Sequence, residues 1–331
     1  MRKLPLIACI CSLVAASGCA SDPGKQAGGK LDVVTTVSPI TNIAQNVGGD
    51  LISLTGLVPE GANSHEFEPA PRDAQLLARA DVLFMNGLHL EQPTLELAEA
   101  NIRKGVPVVK LGERTISPGE YIYDFSFPRA GGDPNPHLWT NPRYAKRYSE
   151  IIRDELAKLD PGNADAFRSN QAAFAVRLDQ LDAAARNATA TVPAKNRKLL
   201  TYHDSFPYFA REYGWSIIGA IQPADFAEPT PRDVARLIDQ IKREKVPAIF
   251  GSEVFPSPVL AQISRESGAR YVDKLRDDDL PGSPGDATHS YMGLMVFDFR
   301  TFMGALGGDT KAFDSIDVRN LTGDASVSYR E

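Results

Sequence analysis

The sequence predicts an α/β protein of two lobes, each built on a central parallel-type sheet, joined by one long helix. Three observations predict it. Short apolar runs alternate with helical patterns from Leu31 to Leu111 and again from Lys198 to Leu306, the signature of βα units. From Arg143 to Ala190 the pattern is purely helical. The 331 residues give room for about two domains and a substantial core.

In chain order, residues 1–18 read as a leader. Arg2 and Lys3 are followed by a mostly apolar run, Leu4 to Ala16, and by Ser17-Gly18-Cys19. That run is too short to span a bilayer and fits a secretory signal. Ala-Ala-Ser-Gly-Cys also resembles a bacterial lipoprotein cleavage box, with Ala16 where Leu is more usual. Cleavage before Cys19 would leave a lipid-modified N-terminus, and residues 19–30 (ending SDPGKQAGGK) read as the lipidated cysteine and its flexible tether.

The first lobe is expected over residues 31–160. Its strands are Leu31–Val37, Leu51–Leu57, Asp81–Met85 and Pro107–Leu111, and its helices begin at prolines that cost no hydrogen bond there. Arg143–Lys158 places Tyr144, Tyr148, Ile151, Ile152 and Leu156 on one helical face. Asp160-Pro161-Gly162-Asn163 interrupts it. The linking segment, 161–193, holds a helix from about Ala164 to Ala190 with Phe167, Phe174, Leu178 and Leu181 in one stripe, about 40 Å long at 1.5 Å per residue. The second lobe, 194–331, has strands at Lys198–Tyr202, Ser216–Ile221, Ala248–Ser252 and Arg270–Val272, and a final helix at Tyr291–Leu306.

Composition narrows the function. The net charge is −6, and losing the leader's Arg2 and Lys3 takes it to −8. The composition has no basic excess to hold nucleic acid. All three cysteines (Cys9, Cys11, Cys19) lie in or at the end of the leader, so the body has no thiol for a disulfide, a zinc knuckle or a nucleophile. Neither HExxH nor GxSxG occurs, and no phosphate-binding glycine loop sits between a strand and a helix. An enzyme is not expected.

Of five histidines, His65 (GANSHEFEP), His137 (NPHLWTNP) and His203 (TYHDSF) stand at exits from apolar stretches, as does Asp273 (ARYVDKL). Ligands in open parallel sheets bind beyond the carboxyl ends of strands. Each histidine alone would read as an ordinary loop or core residue. Together, three imidazoles and a carboxylate suit a divalent transition metal held between the lobes. Asp204 is expected to cap the next helix, Asp277, Asp278 and Asp279 to form a solvated loop, and His89 to be exposed. His289 is expected to pack at a helix start, and Glu253 is a candidate acid near the metal.

These segments resemble the zinc/manganese solute-binding receptors of bacterial ABC importers over almost the whole mature chain. VPEGANSHEFEPAPRD, NPHLWTNP and TYHDSFPYFAREYGW are similar to the three histidine loops of that family. ARYVDKL matches the position of its acidic ligand, and NGLHLEQ resembles its Asn-Gly-Leu-x-Leu-Glu segment, with His89 as the variant residue. The resemblance implies binding of Zn²⁺ or Mn²⁺ as cargo by His65, His137, His203 and Asp273, with little domain closure and delivery to a membrane permease. It implies a monomer outside the cytoplasm, held to the membrane by lipid on Cys19. Histidine at position 203, where manganese-preferring members often carry glutamate, leans the cargo to zinc. No histidine-rich loop lies between Gly112 and Pro136, which departs from one branch of the family. Two rivals stay open: a cell-surface metallohydrolase using Glu66 or Glu253 as base, and an adhesin with a structural metal.

Overall fold

Strands buried on both faces carry near-continuous apolar runs, because helices cover each side of a parallel sheet. The computed structural model of the chain describes residues 29–222, 228–252, 258–323 and 327–329, with the side chains of Asp273 and Lys274 outside that description. The leader, Cys19, most of the tether and Glu253 therefore lie outside the described residues. Leu31–Glu331 forms a unit of its own and carries both sheets.

The first sheet comprises β1 (Leu31–Thr35), β2 (Ile52–Gly56), β3 (Val82–Met85) and β4 (Val108–Lys110), in the order β4-β3-β1-β2. All pairings are parallel, and VLFM of β3 is buried throughout. Helices α1 (Ser38–Gly48), α2 (Pro71–Arg79) and α3 (Gln92–Asn101) connect the strands. Each starts with proline in its first two positions, where the missing N–H is not needed.

Two helices then cross the molecule. In α4 (Pro142–Leu159) the Asn141 side chain accepts the Arg143 N–H at 3.0 Å and caps the first turn. The 28-residue α5 (Ala164–Thr191) buries Phe167, Phe174, Leu178 and Leu181, the predicted stripe, and packs along α4, α1 and the later helix Tyr291–Ala305.

The second sheet, β6-β5-β7-β8, is also parallel: β5 (Lys198–Thr201), β6 (Ser216–Ala220), β7 (Ala248–Ser252) and β8 (Arg270–Leu275). Its helices are α6 (Pro207–Tyr213), α7 (Pro231–Glu244), α8 (Pro258–Ser267) and α9 (Tyr291–Ala305). A capping box of Thr230 and Asp233 starts α7, and the Ser290 hydroxyl accepts the Gly293 N–H at the start of α9. The strand β8 runs three residues beyond the predicted Val272, so Asp273 lies within it rather than after it.

One strand had no period to betray it. The two-residue β9 (Val327–Ser328) pairs parallel with β2, returning the end of the chain to the first sheet. A single apolar cluster includes Val33, Phe84, Phe174, Leu199, Phe250 and Phe299, residues drawn from both sheets and from α5 and α9. Smaller clusters fill the far side of each sheet. The lobes therefore share one continuous core.

Candidate metal centre

The three histidines arrive from loops that differ in how they are fixed. His65 lies in the connection between β2 and α2, where Gly61 takes φ +79°. The Gly61 N–H donates to Asp279 Oδ2 at 2.7 Å, and the Ser64 hydroxyl donates to Asp278 Oδ2. The first lobe's histidine loop is thus tied to an acidic segment of the second. Asn63 Oδ1 accepts the His65 N–H at 3.1 Å, holding the local turn.

His137 is fully buried beside Asn135, whose Oδ1 accepts both the His137 backbone N–H (3.0 Å) and its ring Nδ1–H (2.9 Å). The Trp139 ring stands edge-on to the imidazole, 5.0 Å between centroids, and its Nε1–H donates to the Asp277 carbonyl at 2.9 Å. His203, also buried, follows β5 and gives its Nδ1–H to Gln222 Oε1 at 2.9 Å.

The fold brings all three rings together. His65 Nε2 lies 3.2 Å from His137 Nε2 and 3.1 Å from His203 Nε2, and the last two are 3.1 Å apart. With their Nδ1 protons committed to Asn135 and Gln222, His137 and His203 present bare Nε2 lone pairs to each other. Two acceptors that close repel, and a cation placed among them removes the repulsion. Burial, with the neighbouring rings, also holds His65 and His137 well below the ordinary imidazole pKa, keeping both neutral and able to ligate.

A carboxylate that the sequence did not single out stands beside the three histidines. Asp277 Oδ2 stands 3.8 Å from His203 Nε2 and accepts the Ser205 hydroxyl at 2.8 Å. Asp277, Asp278 and Asp279 are all buried, which corrects the expectation of a solvated loop. They are buried because the His65 loop closes over them. Burial first, and Asp277 second, pushes Asp278 well above its usual range, while burial raises Asp279 to about 6. The Arg276 guanidinium lies near Asp279 and partly offsets that rise. Asp273, the sequence candidate, is in β8 with its side chain outside the described residues.

Other assignments shift too. Asp204 does not cap α6, whose N-cap is Phe206. It is fully buried, and its carboxyl faces that of Asp124; burial followed by Asp204 raises Asp124 to about 9. His89 is exposed as expected, 3.5 Å from Asp133 and with φ +66°. His289 is buried away from the cluster, beside Glu60 at 3.5 Å and under the Tyr329 ring. Glu66 is bonded to Asn63 on the surface. A cleft of about 290 Å³ reaches the cluster, lined by His65, His89, Ser126, Phe127 and Asp133.

Two α/β lobes on a shared helical spine, with three imidazoles converging from both, define the class of a metal-binding receptor. The family model described as zinc-uptake complex component A, periplasmic, matches residues 33–305, and the chain belongs to that family. It is 30% identical to the iron-binding protein YfeA of Yersinia pestis over 83% of this chain and 86% of that one. It is 29% identical to the manganese-binding lipoprotein MntA of Halalkalibacterium halodurans, over 90% and 96%. The solved structure of the periplasmic zinc-binding protein TroA from Treponema pallidum superposes with TM-score 0.75 at 27% identity, covering 84% of this chain and all of that one. The protein is an extracytoplasmic metal-binding receptor of ABC uptake, not an enzyme. Among the described residues no helix is long and apolar enough to cross a membrane.

Proposed function

We propose that the cargo is Zn²⁺, held by His65, His137, His203 and a carboxylate. The triangle of Nε2 atoms at 3.1–3.2 Å carries this reading. Tetrahedral zinc with Zn–N near 2.0–2.1 Å needs N···N edges of about 3.3 Å, close to what the rings already adopt. Three imidazole donors also suit zinc better than manganese, which favours oxygen donors. Mn²⁺ is the second reading, favoured by the name of the MntA relative.

For the fourth donor, Asp277 is supported by its 3.8 Å approach to His203. Asp273 is the rival position, from the resemblance. Lipid on Cys19 would tether the body, lobes 31–160 and 194–331 about the helical link 161–193, beside an ABC permease that takes the ion. The receptor would act as a monomer.

The test is metal content and competitive Zn²⁺ versus Mn²⁺ titration of protein starting at Ser21, beside a His203→Ala variant. One tightly held zinc per chain, weakened by the substitution, is expected. Tight manganese with poor zinc discrimination would change the cargo. Failure to hold either ion stoichiometrically would leave only the fold.

A further inference from the structure

Phe127 touches every ring of the histidine cluster. Its ring centroid lies 5.4 Å from His65, 5.8 Å from His137 and 6.3 Å from His203, all within aromatic contact range. The same side chain lines the cleft that leads inward from the surface, with His65 beside it. It is 8% exposed, and while His65 is open to the cleft, the buried imidazoles of His137 and His203 do not line it.

The segment that carries it is held on one side and open on the other. The Asp124 N–H donates to the Phe127 carbonyl at 2.9 Å, closing a tight turn, and the Ser126 hydroxyl donates to the Gln222 carbonyl at 3.3 Å. Gln222 is the residue that accepts from His203, so the turn bearing Phe127 and the partner of a ligand are joined. Asn135 Nδ2 donates to Asp124 Oδ2 and to the Asp204 carbonyl, fixing the base of the segment to the second lobe. After Pro128, residues Arg129 to Asp133 are exposed, with Gly132 at φ +92°.

We propose that Phe127 is the gate of the metal site: its ring closes the way from the cleft to the buried imidazoles of His137 and His203 and sets how fast the ion enters and leaves. An apolar ring offers no ligand atom, so it acts on passage and not on coordination. This rests on the metal-receptor reading above. A gate has a kinetic signature that a ligand or a mere packing residue lacks. Opening it speeds association and dissociation together and leaves the ratio nearly unchanged, whereas loss of a binding contact shows mainly in the dissociation rate.

The experiment is stopped-flow loading with Zn²⁺ and release into excess chelator, on the whole mature chain, for wild type, F127A, F127L and F125A. Phe125 is 52% exposed two residues away and serves as the control. F127A should raise both rates about tenfold or more while Kd moves less than about threefold, F127L should fall between, and F125A should match wild type. Unchanged rates in folded F127A, or a higher Kd with an unchanged loading rate, would overturn the gate. Should F127A not fold, F127L decides by the same two criteria. Wild type that takes up no zinc would instead overturn the receptor reading itself.

Discussion

One oxygen of Asn135 accepts from both the backbone and the ring of His137, at 3.0 and 2.9 Å, and so fixes which ring nitrogen faces the site. The amide's other atom, Nδ2, holds Asp124 and the Asp204 carbonyl. Partners of this kind typically cost about 10–100-fold in metal affinity when removed. Asn135→Ala should therefore weaken zinc by about that factor and also lower the melting temperature of the metal-free protein. Asn135→Asp, which keeps the acceptor for His137, should retain more affinity than the alanine variant. Competition titration with a fluorescent chelator measures both, and equal affinities for the two variants would refute the orienting role.

The identity of the fourth ligand separates by substitution. Asp277→Asn should cost more zinc affinity than Asp278→Asn or Asp273→Asn, because among the described residues Asp277 brings a carboxylate oxygen within 4 Å of His203 Nε2. Asp278 is engaged by the Ser64 hydroxyl. A larger loss at Asp273 or Asp278 moves the ligand there.

The pH dependence comes from the depressed imidazoles. Protons compete with metal only when the pH approaches a ligand's own pKa, and burial holds His65 and His137 well below 6.5. Zinc affinity should stay nearly flat from about pH 8 to 6.5 and fall at lower pH. The metal-free protein should also lose stability as pH drops below 6.5, because there the unfolded chain binds more protons than the folded one. Affinity that already declines steeply between pH 7.5 and 6.5 would show ordinary imidazoles.

The Asp124–Asp204 pair has the opposite sign. Burial, then Asp204, raises Asp124 from 3.8 to about 9, so the folded state holds a proton that the unfolded state gives up. Stability from this pair is fully present only below about pH 3.8 and is lost progressively as pH rises from there through about 9. Asp124→Asn, a mimic of the protonated acid, should flatten the alkaline limb of a melting-temperature profile. An unchanged limb would place the proton elsewhere.

Chelation should lower the melting temperature without unfolding the protein. The apolar core is continuous through both lobes and is built from side chains other than the metal-binding histidines. Zinc at a hundredfold excess over Kd should add about 2.7 kcal/mol, a shift of several degrees for a chain of this size. Outright unfolding on chelation would make the metal structural.

The α/β class, the stripe on α5 and the three histidines were legible because each rests on local chemistry. Period, helix-starting prolines, and loops such as Gly61-Ala62-Asn63-Ser64 and Pro134-Asn135-Pro136 act over a few residues. What escaped the sequence depends on contacts between distant segments. Asp277, Asp278 and Asp279 look like a solvated run until Ser64 and Gly61, from the other lobe, close over them. Asp204 sits where a cap would stand, yet α6 begins at Pro207 and its carboxyl is left to meet Asp124. Phe127 lies in a stretch without period and becomes meaningful only against three rings drawn from three loops. The residue pattern was enough to name the side chains able to bind a metal. Folding alone placed Asp277 beside His203 and Phe127 against the three rings, because burial and proximity belong to the folded chain and not to its local pattern.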